Sequence, residues 1–238
     1  MKKLIMSAAA LLGALVSVAQ EVAADSDTAA AVRSEWLAPF TAVEVSAEVD
    51  IVFVRVPDTE APRIVYDTKG SDDTRFRASV KDKVLAISER TGLRRAVRTS
   101  VRVFYNELTS VALSDAAATF EGELAAPLLD LRVAGRASLT AQVAAEDLKL
   151  DFSGRSSARL TGKVRYLTID ASSGDFELSG LEAAAVRVEA SNGASVLLQA
   201  TERLEATTST KGTIRYRGTP SILRCETRFV GGTIIPVE

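Results

Sequence analysis

The sequence predicts an all-β protein that folds as a right-handed parallel β-helix, a solenoid whose successive coils stack on one another. Two observations support this: a period of about 19 residues through the second half of the chain, and the absence of helical periodicity there. Six segments alternate apolar and polar residues, with starts spaced by 19, 19, 19, 18 and 19. They begin at Leu129, Leu148, Leu167, Val186, Leu204 and Leu223. Such a period is typical of stacked-repeat proteins.

Stacking these segments in register places apolar residues above apolar residues. The segment starts form one inward column, and a second column contains Leu131, Leu150, Ile169, Val188, Ala206 and Cys225. If each coil pairs in parallel with the next, neighbours in a column lie ~4.8 Å apart and form a continuous buried stack. A right-handed crossing is favoured for such parallel strands.

A second alternation within each coil predicts a second inward-facing strand. Its pairs are Ala137/Leu139, Ala158/Leu160, Phe176/Leu178 and Ile214/Tyr216, with either Ser195/Leu197 or Val196/Leu198 in the remaining coil. An antiparallel β-sandwich is the alternative fold. The patterns of leucine-rich repeats and of left-handed hexapeptide helices are not visible in the sequence.

Glycines mark the predicted corners between the two strands of each coil. They are Gly135, Gly154, Gly174, Gly193 and Gly212. A chain that bends sharply within two residues often needs a positive φ, which glycine adopts at little steric cost.

The N-terminus predicts export. Lys2 and Lys3 precede a short apolar run and small residues, so residues 1–19 have the pattern of a cleaved signal peptide. Residues 20–38 are rich in Ala, Asp and Ser and are expected to form a flexible leader. No later stretch approaches the length of a transmembrane helix.

The remainder, 39–238, is predicted to be a single β-solenoid domain. Irregular strands occupy 39–107 and regular coils of about 19 residues occupy 108–238. An exposed end of a solenoid invites edge-to-edge pairing. We therefore expect the irregular strands to cap one end and Pro236 to blunt the other.

Composition restricts the chemistry. The chain contains no histidine and one cysteine, which excludes histidine metal sites, a Ser-His triad, thiolate zinc sites and an internal disulfide. Removal of residues 1–19 removes two lysines, so the charge becomes 27 − 31 = −4. This mildly acidic balance gives no general preference for nucleic acid. We expect no cofactor and no metal centre, and the protein is predicted not to be an enzyme.

Outward positions of the repeat suggest an acidic ladder. Asp151, Asp170 and Glu189 occupy the same position in three successive segments, so they should lie ~5 Å apart. One hypothesis is a strip that binds cations or a basic ligand. The alternative is a solvated face partly neutralised by Lys149 and Arg187, because like charges at this spacing repel.

A second candidate site is a basic loop around Gly92. Arg90, Arg94, Arg95 and Arg98 place four arginines within nine residues. Such a cluster can bind phosphates or a carboxylate-rich surface. The alternative is a solvated loop that precedes a strand.

The corner glycines and several strands resemble those of a known family. The corners Ser153-Gly154, Ser173-Gly174 and Asn192-Gly193 are similar to the repeats of the putative auto-transporter adhesin, head GIN domain family of Bacteroidetes. The segment from Gly212 to Pro220 and the strands that begin at Phe40 and Val49 are similar as well. The resemblance extends over about residues 38–236.

The resemblance implies a parallel β-helix related in shape to pectin lyases but without their catalytic residues. It also implies a role in adhesion or in interactions at the envelope surface. Asp115 and Arg136 stand where the family has Gly or Ser, so the first coils should be less regular.

The leading functional hypothesis is a non-catalytic binding or adhesion module of the cell envelope that presents a rigid face. Its partner would be a glycan or a surface protein, and its location the periplasm or the outer surface of a Gram-negative bacterium. The alternative is a polysaccharide-active enzyme of the pectin-lyase-like β-helix type, since some parallel β-helix proteins cleave polysaccharides. A third is a structural periplasmic protein.

Overall fold

The computed structural model describes residues 32–69, 75–90, 97–229 and 231–238. In these ranges the chain forms one sheet of sixteen strands and no α-helix, which confirms the all-β prediction. The predicted signal peptide at 1–19 lies outside the described residues. The predicted leader does not remain irregular over its whole length, because Arg33–Trp36 forms the first strand.

The first eight strands are short. They are β1 (Arg33–Trp36), β2 (Ala42–Ser46), β3 (Val49–Arg55), β4 (Arg63–Asp67), β5 (Phe76–Lys81), β6 (Val84–Glu89), β7 (Thr99–Tyr105) and β8 (Ser110–Ser114). Five long strands follow, each of which supplies most of one coil: β9 (Ala117–Ala134), β10 (Ser138–Ser153), β11 (Ser157–Ser172), β12 (Asp175–Ser191) and β13 (Ser195–Ser209). The chain ends with β14 (Thr213–Arg217), β15 (Ile222–Arg228) and β16 (Thr233–Pro236).

The long strands stack in parallel and create two faces. Face A contains their N-terminal halves together with β14 and β16, and face B contains their C-terminal halves together with β15. On face B, Leu148 pairs with Leu129 on one side and with Leu167 on the other. The predicted columns are therefore in register, and the parallel β-solenoid is confirmed.

The second alternation is confirmed on face A with one correction. The structure selects the pair Val196/Leu198, both of which are buried. In β10, however, Leu139 lies opposite Ala158, so the inward pair is Leu139 and Ala141 instead of Ala137/Leu139. Ala137 is buried at the corner before the strand, and its apolar side chain therefore fits the alternation of an inward strand residue in the sequence.

The N-terminal strands also belong to the solenoid. On face B, β2 lies between β6 and β8 in parallel, and β8 pairs with β9. On face A, β3 lies between β7 and β9 in parallel. Among the described strands, antiparallel pairing occurs only at the N-terminal end, in β1–β4–β7 and in the β5–β6 hairpin. The irregular region thus builds additional coils as well as capping one end.

Four of the five predicted corner glycines adopt a positive φ, namely Gly135, Gly154, Gly174 and Gly193. Gly212 does not, because Thr210 and Lys211 make that turn with φ of 48° and 65°. Gly212 is needed for a different reason: a Cβ there would lie 2.3 Å from the carbonyl oxygen of Ala190. The corner is a site of close backbone approach between coils.

The first corner is built by a charged residue. Asp115 adopts a φ of 62°, and its carboxylate accepts a hydrogen bond from the backbone N–H of Arg136 at 2.9 Å. Aspartate tolerates this backbone region better than most residues because its short side chain can hydrogen-bond locally. The departure at Asp115 and Arg136 therefore replaces the glycine corner with a side-chain-supported one.

The C-terminal end of the solenoid is open on face B. Leu223 and Cys225 continue the two inward columns, but every residue of β15 is exposed. Their expected burial is wrong, because no further coil covers β15 within the described residues. Pro236 ends β16 on face A and leaves β15 uncovered.

Burial should set the energetic contribution of each coil. Leu167 is 2% exposed and Leu223 is 48% exposed, although both occupy the same column. We expect Leu167→Ala to reduce the free energy of unfolding by about 3 kcal/mol and Leu223→Ala by less than about 1 kcal/mol. Urea unfolding measures both, and equal losses would contradict the stacking model.

The cost of a Gly→Ala substitution at a corner should depend on the distance from the new Cβ to the neighbouring coil as well as on φ. A Cβ at Gly154 would lie 2.7 Å from the carbonyl oxygen of Gly135, whereas a Cβ at Gly193 meets nothing within 4 Å. Both positions have a positive φ, so Gly193→Ala isolates the backbone strain, about 1 kcal/mol. Gly154→Ala should lower the free energy of unfolding by about 2 kcal/mol more, measured by the same denaturant titration.

Candidate functional site

A polar concavity lies on the outside of face A. It crosses β10 to β14 and encloses about 340 Å³. Its polar side chains form two rows across the strands. The first row contains Ser138, Ser157, Asp175 and Ser195. The second row contains Thr140, Arg159, Glu177, Leu197 and Arg215, of which only Leu197 is apolar.

Strand alternation positions these groups. Ala158 and Phe176 point into the core, so their sequence neighbours Arg159 and Glu177 point outward. Parallel pairing then sets Arg159 opposite Glu177 on the next strand. Arg215 lies three strands from Arg159, a separation of ~14 Å. The concavity is therefore a fixed polar row that is long enough to contact an extended ligand.

The charges of the concavity are largely free of internal partners. Glu177 accepts a hydrogen bond from the hydroxyl of Ser179. The side chains of Arg159, Asp175 and Arg215 make no ion pair or hydrogen bond within the part of the chain that the structure describes. Arginine carries five N–H donors, and an ionised carboxylate only accepts. The concavity thus offers both donors and acceptors to a ligand.

The acidic ladder lies on the outside of face B and has the expected register. Asp151 pairs with Asp170, and Asp170 pairs with Glu189. Arg187 forms an ion pair with Glu189 at 3.4 Å, whereas Lys149 makes no ion pair among the described residues. No group of three or more potential metal ligands occurs in the described ranges. The ladder is partly neutralised by the face itself.

Neutralisation is stronger toward the C-terminal end of face B. Glu205 interacts with Arg203 on its own strand and with Arg224 on the next strand at 3.2 Å. The hydrogen bond from Arg203 lowers the pKa of the Glu205 carboxyl. Arg228 likewise lowers the pKa of Glu226, which it contacts at 2.9 Å. The arginines at this end of face B are paired with glutamates, in contrast to Arg159 and Arg215 of the concavity.

The structure describes two of the four arginines of the predicted basic loop, Arg90 and Arg98. Arg98 forms an ion pair with Asp50 at 3.3 Å. Arg90 is exposed, and its backbone N–H donates to the carbonyl of Arg75 at 3.1 Å. Arg94 and Arg95 lie outside the described residues. An anion-binding role for this loop stays a prediction.

Sequence reasoning missed two features of face A. Trp36 falls within the predicted leader, 20–38, but it lies on β1 and its side chain is 69% exposed. The guanidinium of Arg63 lies 5.8 Å from the Trp36 ring centroid and 4.2 Å from that of Phe104. The concavity lies on face A, and the outward positions of face B in register therefore give no sign of it. The alternating polar residues after each corner, such as Ser157 and Arg159, were the available signal.

The family described as putative auto-transporter adhesin, head GIN domain, matches residues 39–220. The chain belongs to this family. The resemblance stated from the corner glycines is thereby confirmed. No curated protein matches the chain.

Solved structures share the fold of this family member. A putative adhesin from Bacteroides fragilis is 20% identical with a TM-score of 0.80, and one from Parabacteroides distasonis is 19% identical with a TM-score of 0.68. A putative lipid binding protein from Parabacteroides distasonis is 14% identical with a TM-score of 0.64. Each comparison covers 87% of this chain and 96% of the other. At these identities the likeness shows the fold.

The described ranges contain no helix with the length and apolar character needed to cross a membrane.

The acidic ladder is not expected to bind calcium. We expect no upward shift of the melting temperature at millimolar calcium, because Glu189 is already paired with Arg187 and no cluster of metal ligands is formed in the described ranges. Differential scanning calorimetry with and without calcium measures the shift. A rise that disappears in Asp151→Asn/Asp170→Asn would instead establish the cation strip.

Proposed function

We propose that this protein is an exported, non-catalytic binding module of the cell envelope that recognises a glycan through the polar concavity of face A. The observation that carries the proposal is the contrast between the two faces. The arginines of face B on β12 to β15 are paired with glutamates, as Arg187 and Arg224 show, whereas Arg159 and Arg215 of the concavity have no side-chain partner in the described ranges.

The chemistry of the concavity suits sugars. Sugar hydroxyls donate and accept hydrogen bonds, and the concavity supplies serine and threonine hydroxyls, two guanidinium groups and two carboxylates. Hydrogen bonds that involve an ionised partner are stronger than neutral ones. Arg159 and Arg215 can also bind the carboxylate of an acidic sugar with two parallel hydrogen bonds.

Rigidity supports a binding role. The inward neighbours of the concavity residues, such as Ala158 and Phe176, are held in the stacked core, and the Phe176 ring stacks on Phe152 at a centroid distance of 4.0 Å. A ligand therefore meets a surface that loses little conformational freedom on binding. The adhesin names of the family and of the solved structures agree with such a role, although a shared fold alone does not establish function.

Export and the absence of catalysis rest on the sequence. Residues 1–19 have the charge and apolar pattern of a signal peptide, which supports export. The family match and the adhesins of Bacteroidetes with the same fold support the periplasm or the outer surface of a Gram-negative cell as the location. Without histidine, the usual imidazole acid-base pairs are excluded. The carboxylates of the acidic ladder are spaced by the strand repeat and partly paired, which does not favour the polysaccharide-cleaving alternative.

A glycan array with the purified chain tests the proposal. We expect binding to at least one class of bacterial or host glycan. Arg159→Ala/Arg215→Ala should weaken it by about tenfold or more, because two charge-assisted contacts are removed. Surface plasmon resonance on the glycan identified by the array measures the loss.

The matched control is Arg132→Ala/Arg187→Ala, which removes two arginines from face B. It should leave the affinity within about twofold, because these arginines are paired within the chain. Equal losses in the two variants would indicate a general charge effect and contradict a site on face A. Binding to surface proteins alone would replace the glycan with a protein partner.

A further inference from the structure

Strand β15 is an open edge of face B. One edge pairs with β13 through seven registered positions, and no strand pairs with its other edge in the described ranges. All seven residues of β15 are exposed, and Ile222 and Leu223 remain 45% and 48% exposed. A row of unpaired backbone N–H and C=O groups beside uncovered apolar side chains is a template for another strand.

This edge lacks several of the usual safeguards. Natural proteins blunt exposed edges with proline, with charged side chains and above all lysine, with bulges or with a covering element. Of these, β15 has only charged side chains, namely Arg224, Glu226 and Arg228. The segment from Ile222 to Arg228 contains neither proline nor lysine and pairs with β13 without a register shift. The following Phe229 is 83% exposed. A partner strand is therefore expected here.

The charge pattern of β15 is complementary to itself. The strand has seven residues, and Cys225 is its midpoint. In an antiparallel pair related by a two-fold axis at Cys225, Arg224 lies opposite Glu226 of the second copy. The reverse pair, Glu226 with Arg224 of the second copy, forms by symmetry. Opposite charges at directly facing positions stabilise a sheet.

We propose that two copies of this protein join end to end by antiparallel pairing of their β15 strands, centred on Cys225. An axis centred on residue 224 instead sets Arg224 opposite Arg224 of the second copy, and an axis centred on residue 226 sets Glu226 opposite Glu226 of the second copy. Like charges at facing positions destabilise the pair. The register centred on Cys225 avoids this repulsion and pairs the whole strand. This pairing is independent of the glycan site proposed on face A.

The same register continues the inward columns. A two-fold axis perpendicular to face B keeps inward side chains inward, so Leu223 lies opposite Thr227 of the second copy. Strand β16 lies one coil farther along face A, so the two solenoids must incline away from each other on that side. A contact limited to face B is small, and its dissociation constant is expected on the order of micromolar.

Charge exchange provides the first experiment. Sedimentation equilibrium of the full chain should show a concentration-dependent dimer. Arg224→Glu places a second carboxylate opposite Glu226 at both symmetric positions and should raise the dissociation constant by about tenfold. Arg224→Glu/Glu226→Arg restores opposite charges and should recover most of the affinity, provided that thermal melting shows the fold is retained.

A control separates the dimer from the ion pairs within one chain. Arg224 also contacts Glu205 on β13, so Glu205→Gln removes that intrachain pair without changing the proposed interface. Its dissociation constant should stay within about twofold of the unaltered chain. A monomer at all concentrations, or a dimer insensitive to Arg224→Glu, would overturn the proposal.

The single cysteine provides a second, geometric experiment. Facing Cα atoms of antiparallel strands lie about 4.5 or 5.5 Å apart, within the range of a disulfide. Diamide should therefore link two copies through Cys225: two thiols lose two electrons and two protons to the N=N bond of the reagent. Non-reducing electrophoresis detects the product.

The matched control moves the thiol away from the axis. In Cys225→Ser/Ser221→Cys the new thiol is on an exposed residue four positions from the axis, so the two thiols lie ~26 Å apart in the proposed dimer. We expect rapid linkage of the unaltered chain and at least about tenfold slower linkage of this variant. Equal rates in the two proteins would indicate random collision and overturn the proposed register.

Discussion

The structure depends on one constraint, the parallel register that places each coil directly above the last. A single coil cannot bury its own inward side chains, because each column is closed only by the rungs on both sides. Leu167 has a rung on each side and is almost fully buried, whereas Leu223 has one and is about half exposed. Stability is therefore shared between neighbouring coils and falls where stacking stops.

The same register determines the outer surfaces. A strand spacing of ~4.8 Å brings outward side chains of successive coils into contact range. On face B this produces ion pairs between coils, such as Arg224 with Glu205. On face A the row of Arg159, Glu177, Leu197 and Arg215 leaves the guanidinium groups without internal partners in the described ranges. One backbone arrangement thus yields paired arginines at the C-terminal end of face B and unpaired arginines in the concavity of face A.

The two ends of the solenoid solve the edge problem differently. At the N-terminal end the chain reverses direction, and antiparallel strands, including β1 and the β5–β6 hairpin, finish the two faces. At the other end of the described residues, β15 keeps an edge that no described strand pairs with. An end of this kind either carries polar protection or meets another strand, because exposed backbone groups and apolar side chains together favour association.

The sequence by itself determined the regular coils, because each repeat carries its own alternation and corner, so the columns from Leu129 to Leu223 can be aligned without structural knowledge. Only the tertiary structure decided how the N-terminal strands join the stack, since chain segments of unequal length separate β2 from its partners β6 and β8 and hide the period. It also decided that Gly212 is required by contact with Ala190 rather than by φ. The polar concavity and the open edge likewise emerged only in three dimensions, because both depend on which residues of distant coils share a surface and on where stacking ends.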